Sequence, residues 1–132
     1  MELKHNDATP QRPQGTRPLD APVIPIDLKH YIAQLQEEEA YHKNRKNAIT
    51  VFKSETVTIT LIVLDENEII QPGTQDPQPA IMSLQVLDGE IEFQNVGSPI
   101  TLTTNQLITL HQILSFKATA LRKSICLLTM IR

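Results

Sequence analysis

The chain of 132 residues has a formal net charge of -3 and a pI near 5.8, which leaves no excess of positive charge to neutralise a phosphate backbone or an anionic membrane surface. No apolar run approaches the roughly 20 residues that a membrane span needs, so neither nucleic acid nor membrane is an expected partner. The length suits one domain with a real core, and an apolar fraction of 40% without a single Trp suits a β-rich, aliphatic one. The opening residues Met1 to Asp7 hold no apolar signal region, and the one cysteine, Cys126, cannot form an intrachain disulfide; both point to a reducing, cytoplasmic setting. Cys126 falls in an apolar run with no His or Lys close beside it, which reads as an inert buried thiol.

Residues 1–25 hold five of the nine prolines, among Gln, Thr, Arg and Asp. Proline at this density removes amide donors and disfavours helix in the preceding residues, so a flexible Pro-rich tail is expected. Its last part, Val23-Ile24-Pro25-Ile26, is apolar enough to lie as an arm across a sheet, its own or a partner's. Asp27 is a good N-cap, and Leu28, Ile32 and Leu35 follow at helical spacing, predicting a short helix over 28–40. Glu37, Glu38 and Glu39 oppose the macrodipole at its far end, so the helix should fray there. The basic run 42–47 lacks interleaved aromatics and reads as a solvated linker. The chain thus divides into a tail or arm (1–25), a helix and linker (26–47) and a β domain (48–132).

From residue 48 the apolar period changes from that of a helix to that of a strand. Val57, Ile59, Leu61 and Val63 alternate with Thr58, Thr60, Ile62 and Leu64, a strand with both faces at least partly covered. Further strands are predicted over 49–52, 68–71, 80–87, 90–94, 100–103, 106–111, 114–118 and 122–131, with a Pro-rich loop over 72–79. Asp88-Gly89, joining two alternating apolar runs, is the turn signal of a tight β-hairpin. Short strands with frequent turns and no intervening helix predict an all-β sandwich or barrel.

The order of elements over 48–131 resembles the small single-domain cupins, the RmlC-like jelly-roll or double-stranded β-helix proteins of bacteria. The resemblance rests on the run from Leu84 to Phe93, with Asp88-Gly89 at its centre, and on the run from Asn105 to His111, where Asn105 stands in place of the usual glycine. It implies a jelly-roll barrel, a homodimer, and in most members a divalent metal held by His and Glu side chains. Counting along the family spacing brings the first-motif ligands to Asp76, Gln78 and Met82 and the second-motif histidine to Phe116. A thioether and a phenyl ring do not bind a hard divalent ion. The expectation is therefore a cupin-like jelly-roll barrel without metal or other cofactor, serving as a small-molecule-binding or assembly module. His111, Met82, Phe116, Gln85 and Met130 are its candidate barrel lining. The competing expectation is a metal-dependent cupin enzyme of dioxygenase or isomerase type with a non-standard site around His111, the only histidine of the β domain. No catalytic residue is assigned, since no phosphate loop, Gly-x-Ser-x-Gly elbow or Cys-x-x-Cys pair is present.

Overall fold

A computed structural model describes residues 17–132 except Thr74, Asp76, Val96 and Leu114, together with the backbone of Lys4–Asn6. Thirteen elements follow one another in it: β1 (Lys4–Asn6), β2 (Arg17–Asp20), α1 (Leu28–Glu37), α2 (Glu39–Asn44), β3 (Lys46–Lys53), β4 (Val57–Leu64), β5 (Ile69–Ile70), β6 (Ile81–Asp88), β7 (Glu90–Gln94), β8 (Ile100–Thr103), β9 (Leu107–His111), β10 (Lys117–Ala120) and β11 (Ser124–Ile131). A five-stranded antiparallel sheet in the order β3-β4-β11-β6-β9 faces a four-stranded one in the order β5-β10-β7-β8. After β4 the chain crosses between the two sheets at nearly every connection, the winding of a jelly roll.

Alternation along each strand decides what lies between the sheets. Ile62 and Leu64 of β4, Met82, Leu84 and Val86 of β6, and Cys126 and Leu128 of β11 point inward from one side. Ile70, Ile91, Phe93, Leu102, Ala118 and Ala120 meet them from the other, in one buried cluster that also takes in Leu110 and Phe116. The opposite, outer face of β3 and β4 is also apolar, as the pattern of β4 implies, and α1 covers it. Leu35, fully buried, packs there with Ile49, Val51, Leu61 and Val63.

The Asp88-Gly89 hairpin does not form. β6 pairs with β11 and β9, whereas β7 pairs with β10 and β8, so Gly89 is a corner between sheets. The apolar faces of the two runs fill one core from opposite walls, and two strands folded flat against each other would leave half of them in water. Gly89 has φ +117° and a Cβ on it would lie 2.6 Å from the Cα of Ser124. The buried Ser124 hydroxyl accepts from the Glu90 N–H at 3.0 Å and is 2.8 Å from the Arg122 carbonyl, to which it donates. The Gly89 N–H donates to Thr104 Oγ1 at 3.1 Å.

The region before the sheets also departs from expectation. The helix stops at Glu37, and Glu38 is extended (φ -66°, ψ 146°) before α2 begins. Its carboxylate accepts from Gln34 and from Asn47, whose amide also donates to the Leu35 carbonyl, so a tertiary clamp ends α1 where helical propensity alone would let it fray. The basic linker divides between α2, closed by Arg45 in the left-handed region, and β3, which starts at Lys46. The expected strand 114–118 is shifted to Lys117–Ala120. Within the Pro-rich segment, Arg17–Asp20 pairs with Lys4–Asn6 in a two-stranded ribbon and buries Leu19 and Asp20; the rest of the expected tail before residue 17 lies outside the described residues.

Candidate functional site

Two of the four positions to which the resemblance leads for a metal carry apolar side chains. Met82 and Phe116 are 2% and 3% exposed and belong to the inter-sheet cluster. The Phe116 ring lies against that of Phe93, centroids 5.3 Å apart. Gln78 is half-buried, and Asp76 lies outside the described residues. Among the described residues, no three His, Cys, Asp or Glu side chains come together as a metal-binding group. At two of the four positions the donors do not fit a divalent ion: the thioether of Met82 and the phenyl ring of Phe116 supply no hard ligand.

The five candidate lining residues separate into two groups. Met82 and Phe116, with the partly buried Met130, face the core between the sheets. Gln85 and His111 do not. On β6 the inward residues are Met82, Leu84 and Val86, so Gln85 is on the outer face. On β9 Leu110 points inward, which leaves His111 exposed on the outer face beside Ile81. Period-2 alternation separates them: Gln85 differs in parity from Met82, and His111 from Leu110. His111 makes no side-chain hydrogen bond among the described residues.

The described residues form several concavities that the sequence did not single out. One lies along the seam between β3, an edge of the five-stranded sheet, and β5, an edge of the four-stranded sheet. It is a groove of about 370 Å³ with Ile62, Leu64 and Ile70 lining it along with Ala48, Lys46 and Asn47. The small Ala48, opposite Ile62 in register, leaves the groove open where the neighbouring strands carry larger apolar side chains. Lys46 Nζ donates across the seam to the Ile69 carbonyl at 3.3 Å. An alanine among larger residues on an edge strand was the one sequence signal for this groove, and only the pairing of β3 with β4 alone shows that the strand is an edge.

A second concavity, about 500 Å³, is polar and involves Tyr41, His42, Arg45, Asp65 and Lys123. Arg45 and Asp65 form an exposed ion pair at 3.0 Å. The Glu66 backbone N–H first, and the Arg45 side chain next, hold the Asp65 carboxyl below its usual value. Partial burial, then the Asp65 charge, raises the Tyr41 phenol. Arg45 and Asp65 are thus engaged with each other in this cleft.

No family model matches the chain, and no curated protein matches it either. Solved structures do. The chain is similar to a cupin superfamily protein from Desulfitobacterium hafniense DCB-2, with a TM-score of 0.59 at 13% identity over 67% of this chain and 78% of that one. It is similar to an RmlC-like cupin from Desulfovibrio desulfuricans, with a TM-score of 0.60 at 18% identity over 74% and 92% of the two chains. The fold is that of the cupins. A transcriptional regulator of the HTH_3 family from Vibrio cholerae is also similar, with a TM-score of 0.60 at 14% identity, over 80% of this chain and 61% of the regulator. Identities this low speak to the cupin fold alone, and the chemistry has to be argued from the side chains. Within the cupin fold, this chain has Met82 and Phe116 where the resemblance led to metal ligands, and its groove opens on the β3–β5 seam instead. No helix among the described residues is long and apolar enough to cross a membrane.

Proposed function

We propose that this protein is a metal-independent cupin-fold module that works by binding, without catalytic chemistry of its own. The observation that carries the reading is the burial of Met82 and Phe116 at the positions where the resemblance calls for ligands. An ion placed there would lose its hydration shell and gain no oxygen or nitrogen in return. A cupin-like fold in a protein described as a transcriptional regulator agrees with use of this fold for binding rather than turnover. The rival enzyme reading centred on His111 has less support, because that side chain is exposed on the outer face, without an acid or nucleophile bonded to it among the described residues.

Elemental analysis of the purified, untagged protein for Mn, Fe, Co, Ni, Cu and Zn tests the reading. The expected result is far less than one equivalent of metal, unchanged after incubation with added ions. Stoichiometric metal overturns it.

Self-association as a homodimer belongs to the same reading. On the outer face of β11, β6 and β9, Ile125, Leu127 and Leu87 pack toward the cluster under α1, while Ile81, Leu107 and Ile131 stay exposed. Ile131, Ile81 and His111 are neighbours across it, as are Leu127, Gln85 and Leu107. Ile81, Leu107 and Ile131 are 40%, 53% and 37% exposed. Apart from Asp88 at the end of β6, the side chains facing outward from these three strands include no acid, lysine or arginine, a composition suited to an isologous contact with a second copy.

A further inference from the structure

We propose that the groove on the β3–β5 seam binds a small monocarboxylate with an aliphatic or aromatic body. The proposal rests on the metal-independent binding reading and gives it a site and a ligand class. Its volume, about 370 Å³, is at the small end of the roughly 300–1,000 Å³ of ligand pockets, which limits the occupant to a short chain or a single ring. Ile62, Leu64 and Ile70 of the inter-sheet core present hydrocarbon to it, and a polar body would lose its hydration against them without compensation.

Charge selects the head group. Lys46 is the sole ionic side chain among the residues that line the groove. Its ammonium spends one proton on the Ile69 carbonyl, which holds it at the rim, and an ammonium has three to give. Two neutral amides also line the groove: Asn47 is occupied, donating to Leu35 and Glu38 and accepting from the Ala48 N–H through its side-chain oxygen, while Asn44 adds a polar group without charge. One available cation over an apolar floor complements a single negative charge; a phosphate or dicarboxylate would leave charge unmatched. The site is also apart from the position that the resemblance assigns to metal. Across β11, Met82 and Thr58 flank Met130, whereas Val86 and Ile62 flank Cys126, four residues and about 13 Å further along the strand.

The test titrates the full chain with hexanoate and benzoate, and with hexanamide and benzamide as neutral isosteres, following backbone amide shifts and Kd. The carboxylates are expected to shift the amides of Ala48, Ile62 and Ile70 and to bind about tenfold more tightly than the amides. Lys46→Gln should remove that preference with the melting temperature unchanged. Ala48→Phe should abolish binding of all four probes by filling the groove; if that variant does not fold, Lys46→Gln decides alone. Absence of binding, shifts centred on Met82 and Met130, or a carboxylate preference that survives Lys46→Gln overturns the proposal. The probes need no metal, so a failure here removes the site and leaves the metal-independent reading intact, while stoichiometric metal in the purified protein removes that reading whatever the probes do.

Discussion

At Gly89 the chain leaves one sheet for the other with φ +117°, and the space its hydrogen occupies is bounded by the Ser124 backbone. Alanine there meets both a backbone conformation that L residues avoid and a contact that only movement of β11 relieves. Gly89→Ala should cost about 3 kcal/mol, read as a lower urea midpoint with an unchanged m-value. Cys126 is the second residue with a specific consequence. Burial pushes its thiol from the ordinary 9.0 up to about 12, so the native protein holds this proton more tightly than the unfolded chain. The stability linked to it is fully present below pH 9 and is lost as pH rises toward 12. The margin by which the wild type exceeds Cys126→Ala in unfolding free energy should therefore shrink above pH 9. A constant margin across that range would contradict the burial argument.

Among the elements, α1 shows how the outer face of β3 and β4 is stabilised. Its spacing of Leu28, Ile32 and Leu35 was legible in the sequence, as was the Asp27 cap, whose carboxylate accepts from the His30 N–H at 3.1 Å. The stop at Glu37 was not, because it depends on Asn47 reaching back from β3 to Leu35 and Glu38. Leu35 is fully buried between α1 and the sheet. Leu35→Ala should lower stability by about 3 kcal/mol while leaving the far-UV signature of the sheets in place below the transition. The Asp88-Gly89 turn teaches the same point from the other side. The dipeptide announces positive φ and a reversal, but whether two flanking strands pair or part depends on which partners reach their edges first in space.

For the whole molecule, the question is what the exposed apolar side chains Ile81, Leu107 and Ile131 on β6, β9 and β11 do. If two copies meet there, the wild type should run as a dimer in size-exclusion chromatography with light scattering, and the pair of changes Ile81→Asp and Leu107→Asp should give a monomer with the same fold. Both side chains are on the surface, so the charges are solvated in the monomer and buried only in the contact. A dimer that survives both changes would move the interface elsewhere, to a sheet edge or to the Pro-rich arm.

Composition and alternation alone determined that this protein is all-β and that its core is aliphatic, and the resemblance carried by the sequence led from metal ligands to Asp76, Gln78, Met82 and Phe116. These are local properties: period 2 shows which residues share a face, and residue chemistry shows which can hold an ion. Tertiary structure alone decided which face is which. Gln85 and His111 share strands with core residues, but one step of parity turns them outward, and that step has meaning only once β6 and β9 are registered against β11 and each other. The seam groove likewise exists because β3 and β5 are both sheet edges. An edge is a property of the strand order, which depends on contacts between residues far apart in the chain that no local window contains.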